Sequence, residues 1–235
     1  GTSTCAIAWV NEHGDPVVIE DTQGEWQTAS MVSVNGMDTV IGSRVMKQLS
    51  KLPDNPAMEI KRFLGRPYYP EPMAGNRYHP ETLLGLLLSK LSFDFQRKIG
   101  PTKEAAISTP ACFDAVRRKA VQDVGFIAGL DASRLVAEPV AATLYYGHKN
   151  PISEEHSEKC LVLDLGGGTL DVVALERQGQ QLVVASTAGD TRLGGRDWDQ
   201  CMIELVSDAL KKQHGFDPLE DEKKALRLWQ ACEWA

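Results

Sequence analysis

The sequence predicts an α/β fold built in two lobes, and three observations carry that expectation. Apolar runs of strand length alternate with helical ones from end to end. The plan of "GTSTCAIAWVNEHGDPVV", Gly1–Val18, returns in "GTLDVVALERQGQQLVV" from Gly168. Each copy opens on Gly-Thr, enters an apolar strand, turns at a glycine (Gly14 or Gly179) and comes back as a second strand, which suggests duplicated halves. Between them lies "HKNPISEEHSEK", His148–Lys159, charged, proline-bearing and without periodicity. That stretch sets the expected boundary: a first lobe over 1–150 and a second over 151–235. The abrupt start at "GTST" and the uncapped last helix suggest that the chain continues and that the second lobe is incomplete.

Taken in order, Cys5–Glu20 reads as strand, turn, strand, and "EWQTASMVSV" as further β-structure. Residues 43–64 read as helical, broken at Pro53 and Pro56. Gly65–Pro80, with four prolines and two glycines, is a loop. Glu81–Ile99 is a helix, with Leu83, Leu84, Leu87, Leu88, Leu91 and Phe95 on neighbouring faces. "EAAIST" is a strand ending at Pro110, and Asp114–Ala128 a helix with Arg117, Arg118 and Lys119 on one turn. "SRLVA" is a strand, and "EPVAATLYYG" opens a helix with Pro139 in its first turn, where a missing N–H does no harm. "CLVLDL", "LDVVALER" and "QLVVAST" are strands, "AGDTRLGGRDWDQ" a loop, and 199–213 and 221–234 helices.

Composition narrows the function. The length of 235 residues suits one large domain or two small ones, at ~150 residues per domain. A net charge of −7, from 25 basic and 32 acidic residues, argues against nucleic acid, whose binding rests on phosphate neutralisation. The longest apolar run, "TLLGLLLSKLSFDF", is broken by Ser89, Lys90 and Asp94 and reads as a core helix, so no membrane is expected. Cys5, Cys112, Cys160, Cys201 and Cys232 form no CxxC pair, which suggests reduced thiols and a cytoplasmic setting. His13, His79, His148, His156 and His214 are too dispersed for a zinc site.

The chemistry concentrates in "LVLDLGGGTLDVVAL", Leu161–Leu175. Consecutive glycines permit positive φ and place no Cβ in the way, so successive N–H groups can converge on an anion. A phosphate held so needs no excess of lysine, which agrees with the acidic composition. Asp164 and Asp171 flank the glycines, and a polyphosphate arrives with magnesium, a strongly hydrated ion steered by one or two carboxylates. The competing reading is an ordinary hairpin with a flexible turn. The second Gly-Thr hairpin weighs against it, since two such loops facing one cleft make a coherent phosphate grip.

"DLGGGTLD" resembles the second phosphate loop of the actin, hexokinase and heat-shock chaperone ATPase superfamily, and "GTST" the tail of its first. "KRFLGR" (Lys61–Arg66), Ser108–Gly147 and "GDTRLGGRDWD" (Gly189–Asp199) resemble, in order, the ATPase domain of the seventy-kilodalton, DnaK-like heat-shock chaperones. The resemblance implies an actin-like (ribonuclease H-like) ATPase fold, two lobes around a nucleotide cleft, in the control of a peptide-binding domain. It implies ATP or ADP, Mg2+ and K+ as cofactors. As partners it implies J-domain co-chaperones, nucleotide-exchange factors and unfolded polypeptide clients, with stress response as the setting. Lys61 matches the family's catalytic lysine, and Glu138 the acid of its "EP" motif. Asp164 and Asp171 match carboxylates that hold hydrated magnesium and associated monovalent cations. Thr2, Ser3 and Thr4 match the first loop, Gly166, Gly167, Gly168 and Thr169 the second, and Gly194 and Gly195 a further nucleotide-side turn. Pro110 and Arg118 match a pair that relays nucleotide state.

Several positions depart from the family. The first-loop aspartate has no counterpart before Gly1, Cys112 stands where an aromatic is usual, and Leu170 replaces a phenylalanine. The stretch from Arg66 to Glu81 is shorter than usual, and the adenosine-clasping positions lie beyond the sequence. Apolar helix faces around Leu226, Leu228, Trp229 and Trp234 are therefore expected to be exposed. Competing readings are a degenerate member that binds nucleotide or partners without turnover, and another superfamily member such as a sugar kinase or a filament-forming actin relative. Lys61, Glu138, Asp164 and Asp171 together favour the ATPase.

Overall fold

The structure is a computed structural model describing residues 1–36, 38–179 and 181–233. Its N-terminal part holds short strands: β1 (Thr4–Cys5), β2 (Ala8–Val10), β3 (Pro16–Val18), β4 (Thr28–Ala29), β5 (Val32–Asn35) and β6 (Asp38–Ile41). Helix α1 (Ser43–Gln48), a 3₁₀ turn at Ile60–Phe63 and the long helix α2 (Pro80–Lys98) follow. Then come β7 (Glu104–Thr109), α3 (Ala115–Ile127), β8 (Asp131–Ala137) and α4 (Glu138–Lys149). The remainder is β9 (Ser157–Leu165), β10 (Leu170–Gln178), β11 (Gln181–Asp190), α5 (Gly195–His214) and α6 (Glu222–Glu233). The architecture is mixed α/β with small sheets.

Strands β1 and β4, β2 and β3, and β5 and β6 pair antiparallel, while β7 and β8 are parallel and joined through α3. Strands β9, β10 and β11 form one antiparallel sheet with β10 central. The two Gly-Thr hairpins are both present and turn at Gly14 (φ 85°) and Gly179 (φ 56°), values that favour glycine. They differ in size. Strands β2 and β3 have three residues each, whereas β10 and β11 have nine and ten.

Helix α2 starts at Pro80, which needs no intrahelical donor there, and buries Leu83 and Leu87 against Val32, Val34, Ala57, Ile60, Tyr69 and Met73. A second cluster joins Leu64 and Phe113 to Ala120, Val121 and Val124 of α3. Ile60 and Leu64 thus anchor the 3₁₀ turn in two separate cores, and Lys61 is carried between them. Asp114 caps α3 by accepting the Arg117 N–H at 2.8 Å.

Two expectations need correction. The loop expected over 188–200 is shorter, because β11 stays paired to β10 as far as Asp190 and α5 begins at Gly195. The apolar face of α6 is not left bare. Leu226 and Trp229 pack against the cluster of Met31, Val45 and Leu49, and Leu228 is half-buried. Trp234 lies outside the described residues. No helix among the described residues is long and apolar enough to cross a membrane.

Leu83 is fully buried, so in the full-length protein Leu83→Ala should cost about 2–5 kcal/mol by chemical denaturation. The same truncation at Leu205, 72% exposed, should stay within about 0.5 kcal/mol.

Candidate phosphate-binding site

Sheet register builds the glycine loop. Leu165 pairs with Leu170 and Asp164 with Asp171, leaving Gly166–Thr169 as the connection between β9 and β10. The Gly166 N–H donates to the Thr169 carbonyl at 3.0 Å and closes the turn. Along β10 the buried face holds Asp171, Val173, Leu175 and Arg177, so alternation alone turns Asp171 inward. Asp164 lies directly opposite on the same face, a like-charge pair that a sheet ordinarily disfavours.

Two other segments close on this loop. A Cβ on Gly167 would overlap Ser3 Oγ, and one on Gly168 would lie 2.6 Å from Thr2 Cγ2. The first and second Gly-Thr segments therefore meet, in direct contact, and any phosphate held between them has to part them. From the other side, a Cβ on Gly194 would lie 2.5 Å from the Gly167 carbonyl carbon and 2.7 Å from the Gly166 oxygen. Only glycine allows this backbone-to-backbone approach. The Gly195 and Arg196 N–H groups donate to the Gly166 and Gly167 carbonyls, each at 3.0 Å, and the Gly194 N–H donates to Asp197 at 2.8 Å. Gly194 and Gly195 brace the loop from behind. Thr4 lies at the start of β1, paired with Ala29.

The parallel strands β7 and β8 end side by side, with Thr109 opposite Ala137. Their ends deliver Pro110–Phe113 and Glu138 to the same place. Lys61, buried, donates to Glu138 Oε1 at 2.6 Å, and its ammonium lies 5.8 Å from the Phe113 ring centre. Burial, then the negative charges of Glu138 and Asp171, push the Asp164 carboxyl above the usual range, with Lys61 opposing them. Asp171 is wholly buried; its Oδ1 accepts the Cys112 N–H at 2.9 Å, and its Oδ2 has no partner among the described residues. Burial first and Asp171 second raise the Cys112 thiol to about 11. Arg118 clasps this turn, with Nε donating to the Phe113 carbonyl at 2.9 Å and an η nitrogen to Ala111 at 3.3 Å. Pro110 and Arg118 thereby frame the segment whose amide holds Asp171.

Two arginines escaped the sequence reading. Arg62 donates from Nε to the Gly168 carbonyl at 3.2 Å and pairs with Glu59 and Asp197. Arg196 is buried, lies 4.5 Å from the Trp229 ring centre and pairs with Glu233 at 3.1 Å. Beyond a local carboxylate three residues away (Glu59 or Asp199), the partners that fix each arginine come from distant segments, which no local pattern reveals.

Comparison with known proteins gives the family. The family described as Hsp70 protein matches residues 1–74 and 70–235. The chain is 36% identical over 234 residues to the chaperone protein DnaK of Metamycoplasma hominis, covering 99% of this chain and 39% of that one. It is 37% identical over 236 residues to the chaperone protein DnaK of Halobacterium salinarum, covering 100% of this chain and 37% of that one. With the chaperone protein DnaK of Thermus thermophilus it shares 37% identity over 257 residues, covering 100% and 41%. The chain thus spans about two fifths of the length of the curated relatives it matches.

Replacing Gly194 by alanine should cost about 1–3 kcal/mol through overpacking, read as a lowered denaturation midpoint. Asp164 gives a pH test with a definite sign. Its folded pKa is raised, so the folded state binds the proton more tightly than the unfolded chain does. That stabilisation is fully present below the unfolded pKa and is lost as pH rises through the folded one. Asp164→Asn should therefore flatten the fall of Tm with pH in chelator-treated protein, and raise Tm above that window. A Tm profile superimposable on the parent's would show that the carboxyl is unperturbed.

Proposed function

This chain belongs to the Hsp70 family, and from that premise we propose that it is the part of a molecular chaperone that binds and hydrolyses ATP. Membership carries the actin-like ATPase fold; the division into lobes over 1–150 and 151–235 around a nucleotide cleft is our reading. One observation supports the function above others. The Lys61–Glu138 pair, the Asp164–Asp171 pair and the glycine loop come together where Thr2 and Ser3 meet Gly167 and Gly168.

In this reading the phosphates lie between Thr2, Ser3 and Thr4 on one side and Gly166, Gly167, Gly168 and Thr169 on the other. Backbone N–H groups and hydroxyls supply the donors, as a net acidic protein requires. Gly194 and Gly195 keep the loop in shape. Lys61 orients the attacking water and stabilises charge building on the terminal phosphate, the main contribution phosphoryl transfer asks of a protein. Glu138 fixes the position of that ammonium. Pro110 and Arg118 pass movement at Asp171 outward through the Cys112 turn.

The acidic groups suit a hydrated Mg2+. The unpartnered Asp171 oxygen and the mutual repulsion of Asp164, Asp171 and Glu138 are both relieved by a cation. Mg2+ dehydrates reluctantly and is ordinarily steered by one or two carboxylates, so in this reading Asp164 and Asp171 hold it through its water shell. Bound there with K+, the ion would neutralise phosphate charge. J-domain co-chaperones, exchange factors and unfolded polypeptides are the partners this reading assigns to the whole protein, in the cytoplasm. The presence of Lys61, Glu138, Asp164 and Asp171 in one cluster favours turnover over a binding-only role.

In the full-length protein, Lys61→Ala should lower single-turnover ATP hydrolysis by about a hundredfold or more while nucleotide affinity changes little, because the lysine acts mainly in the transition state. Hydrolysis at the parent rate would remove Lys61 from the mechanism.

A further inference from the structure

We propose that Arg62 is a positioning residue for this reaction, tying the glycine loop to the turn that carries Lys61; the inference rests on the ATPase reading above. Lys61 and Arg62 are neighbours on one 3₁₀ turn, where successive side chains diverge by about 120°. Lys61 reaches Glu138 at the end of β8, and Arg62 reaches the opposite way, to the loop between β9 and β10. One turn, pinned by buried Ile60 and Leu64, therefore holds both sides of the site.

Every nitrogen of the Arg62 guanidinium is engaged. Nε donates to the Gly168 carbonyl at 3.2 Å, Nη1 to Glu59 at 3.1 Å and to Asp197 at 3.2 Å, and Nη2 to the second Asp197 oxygen. The side chain is only 15% exposed. Asp197 also accepts the Gly194 N–H, so the same carboxylate grips the arginine and the brace behind the loop. A Cβ on Gly168 would lie 2.7 Å from Arg62 Nε, so the approach depends on glycine at that position.

Holding the Gly168 carbonyl has a direct consequence for the donors. A peptide plane is trans, so drawing that oxygen toward Arg62 turns the Thr169 N–H to the opposite side of the loop. Arg62 thus sets the direction of a loop amide and its spacing from the Lys61 ammonium without touching the phosphate. A lysine carries the charge but lacks the fork needed to join three partners.

The test uses Arg62→Met and Arg62→Lys in the full-length protein. Displacements on the order of 1 Å slow catalysis by about a hundredfold, so both variants should lose about 10–100-fold in single-turnover ATP hydrolysis. Low, non-denaturing guanidinium should partly restore Arg62→Met. Amide hydrogen exchange of Gly166–Thr169 should quicken by about tenfold in both, with α2 amides unchanged. Turnover within about twofold of the parent in either variant, or equal acceleration of exchange in α2, would overturn the proposal. If the parent itself fails to hydrolyse ATP, the ATPase reading falls, and loop exchange alone decides whether Arg62 holds the loop: unchanged exchange refutes it.

Discussion

The site depends on a packing contact that excludes side chains. Gly194 lies flat against the backbone of Gly166–Gly168, and the Gly195 and Arg196 amides hang on the loop's carbonyls. Glycine loses more conformational freedom on folding than any other residue, so such a loop cannot hold a shape by itself. Here β9 and β10 fix its ends, α5 supports its back, and Thr2 and Ser3 cover its front. The orientation of α5 follows from the same contact, because its first N–H groups are those that bind the loop.

Electrostatics supplies the second constraint. Glu138, Asp164 and Asp171 converge with one ammonium, Lys61, to balance them. The protein tolerates this imbalance by two means, the Cys112 amide on Asp171 and the ion pair on Glu138, while burial and the neighbouring carboxylates raise the Asp164 carboxyl above its usual range. A surplus of carboxylates beside amide donors suits a ligand that brings both an anion and a cation. That is the character of a metal-bound polyphosphate.

Much of this was legible in the sequence for physical reasons. The glycine turn between two apolar strands could be read from composition, but the inward direction of Asp171 could not, because Leu161–Leu165 and Leu170–Leu175 are apolar at nearly every position and only strand pairing sets which face is buried. Helix α2 announced itself through leucines at helical spacing, although Pro80 read as the end of the loop before it and is the helix's first residue. What stayed hidden depends on distant pairing. Arg62 binds a carbonyl 106 residues away, and Asp171 is held by an amide 59 residues before it. Strand β11 runs through Gly189 and Asp190 because β10 lies opposite, not because "STAGD" favours a strand. The covering of Leu226 and Trp229 by Met31, Val45 and Leu49 is likewise tertiary.

In the ATPase reading, the two Gly-Thr segments grip phosphate from opposite sides through backbone amides. The most direct measurement is an amide chemical-shift titration of the full-length, isotope-labelled protein with Mg-ATP, and separately with inorganic triphosphate and magnesium. Both titrants should move the amides of Thr2–Thr4 and Gly167–Thr169 together, saturating at one concentration for each titrant. Shifts confined to one segment, or their absence with triphosphate, would contradict a shared phosphate grip.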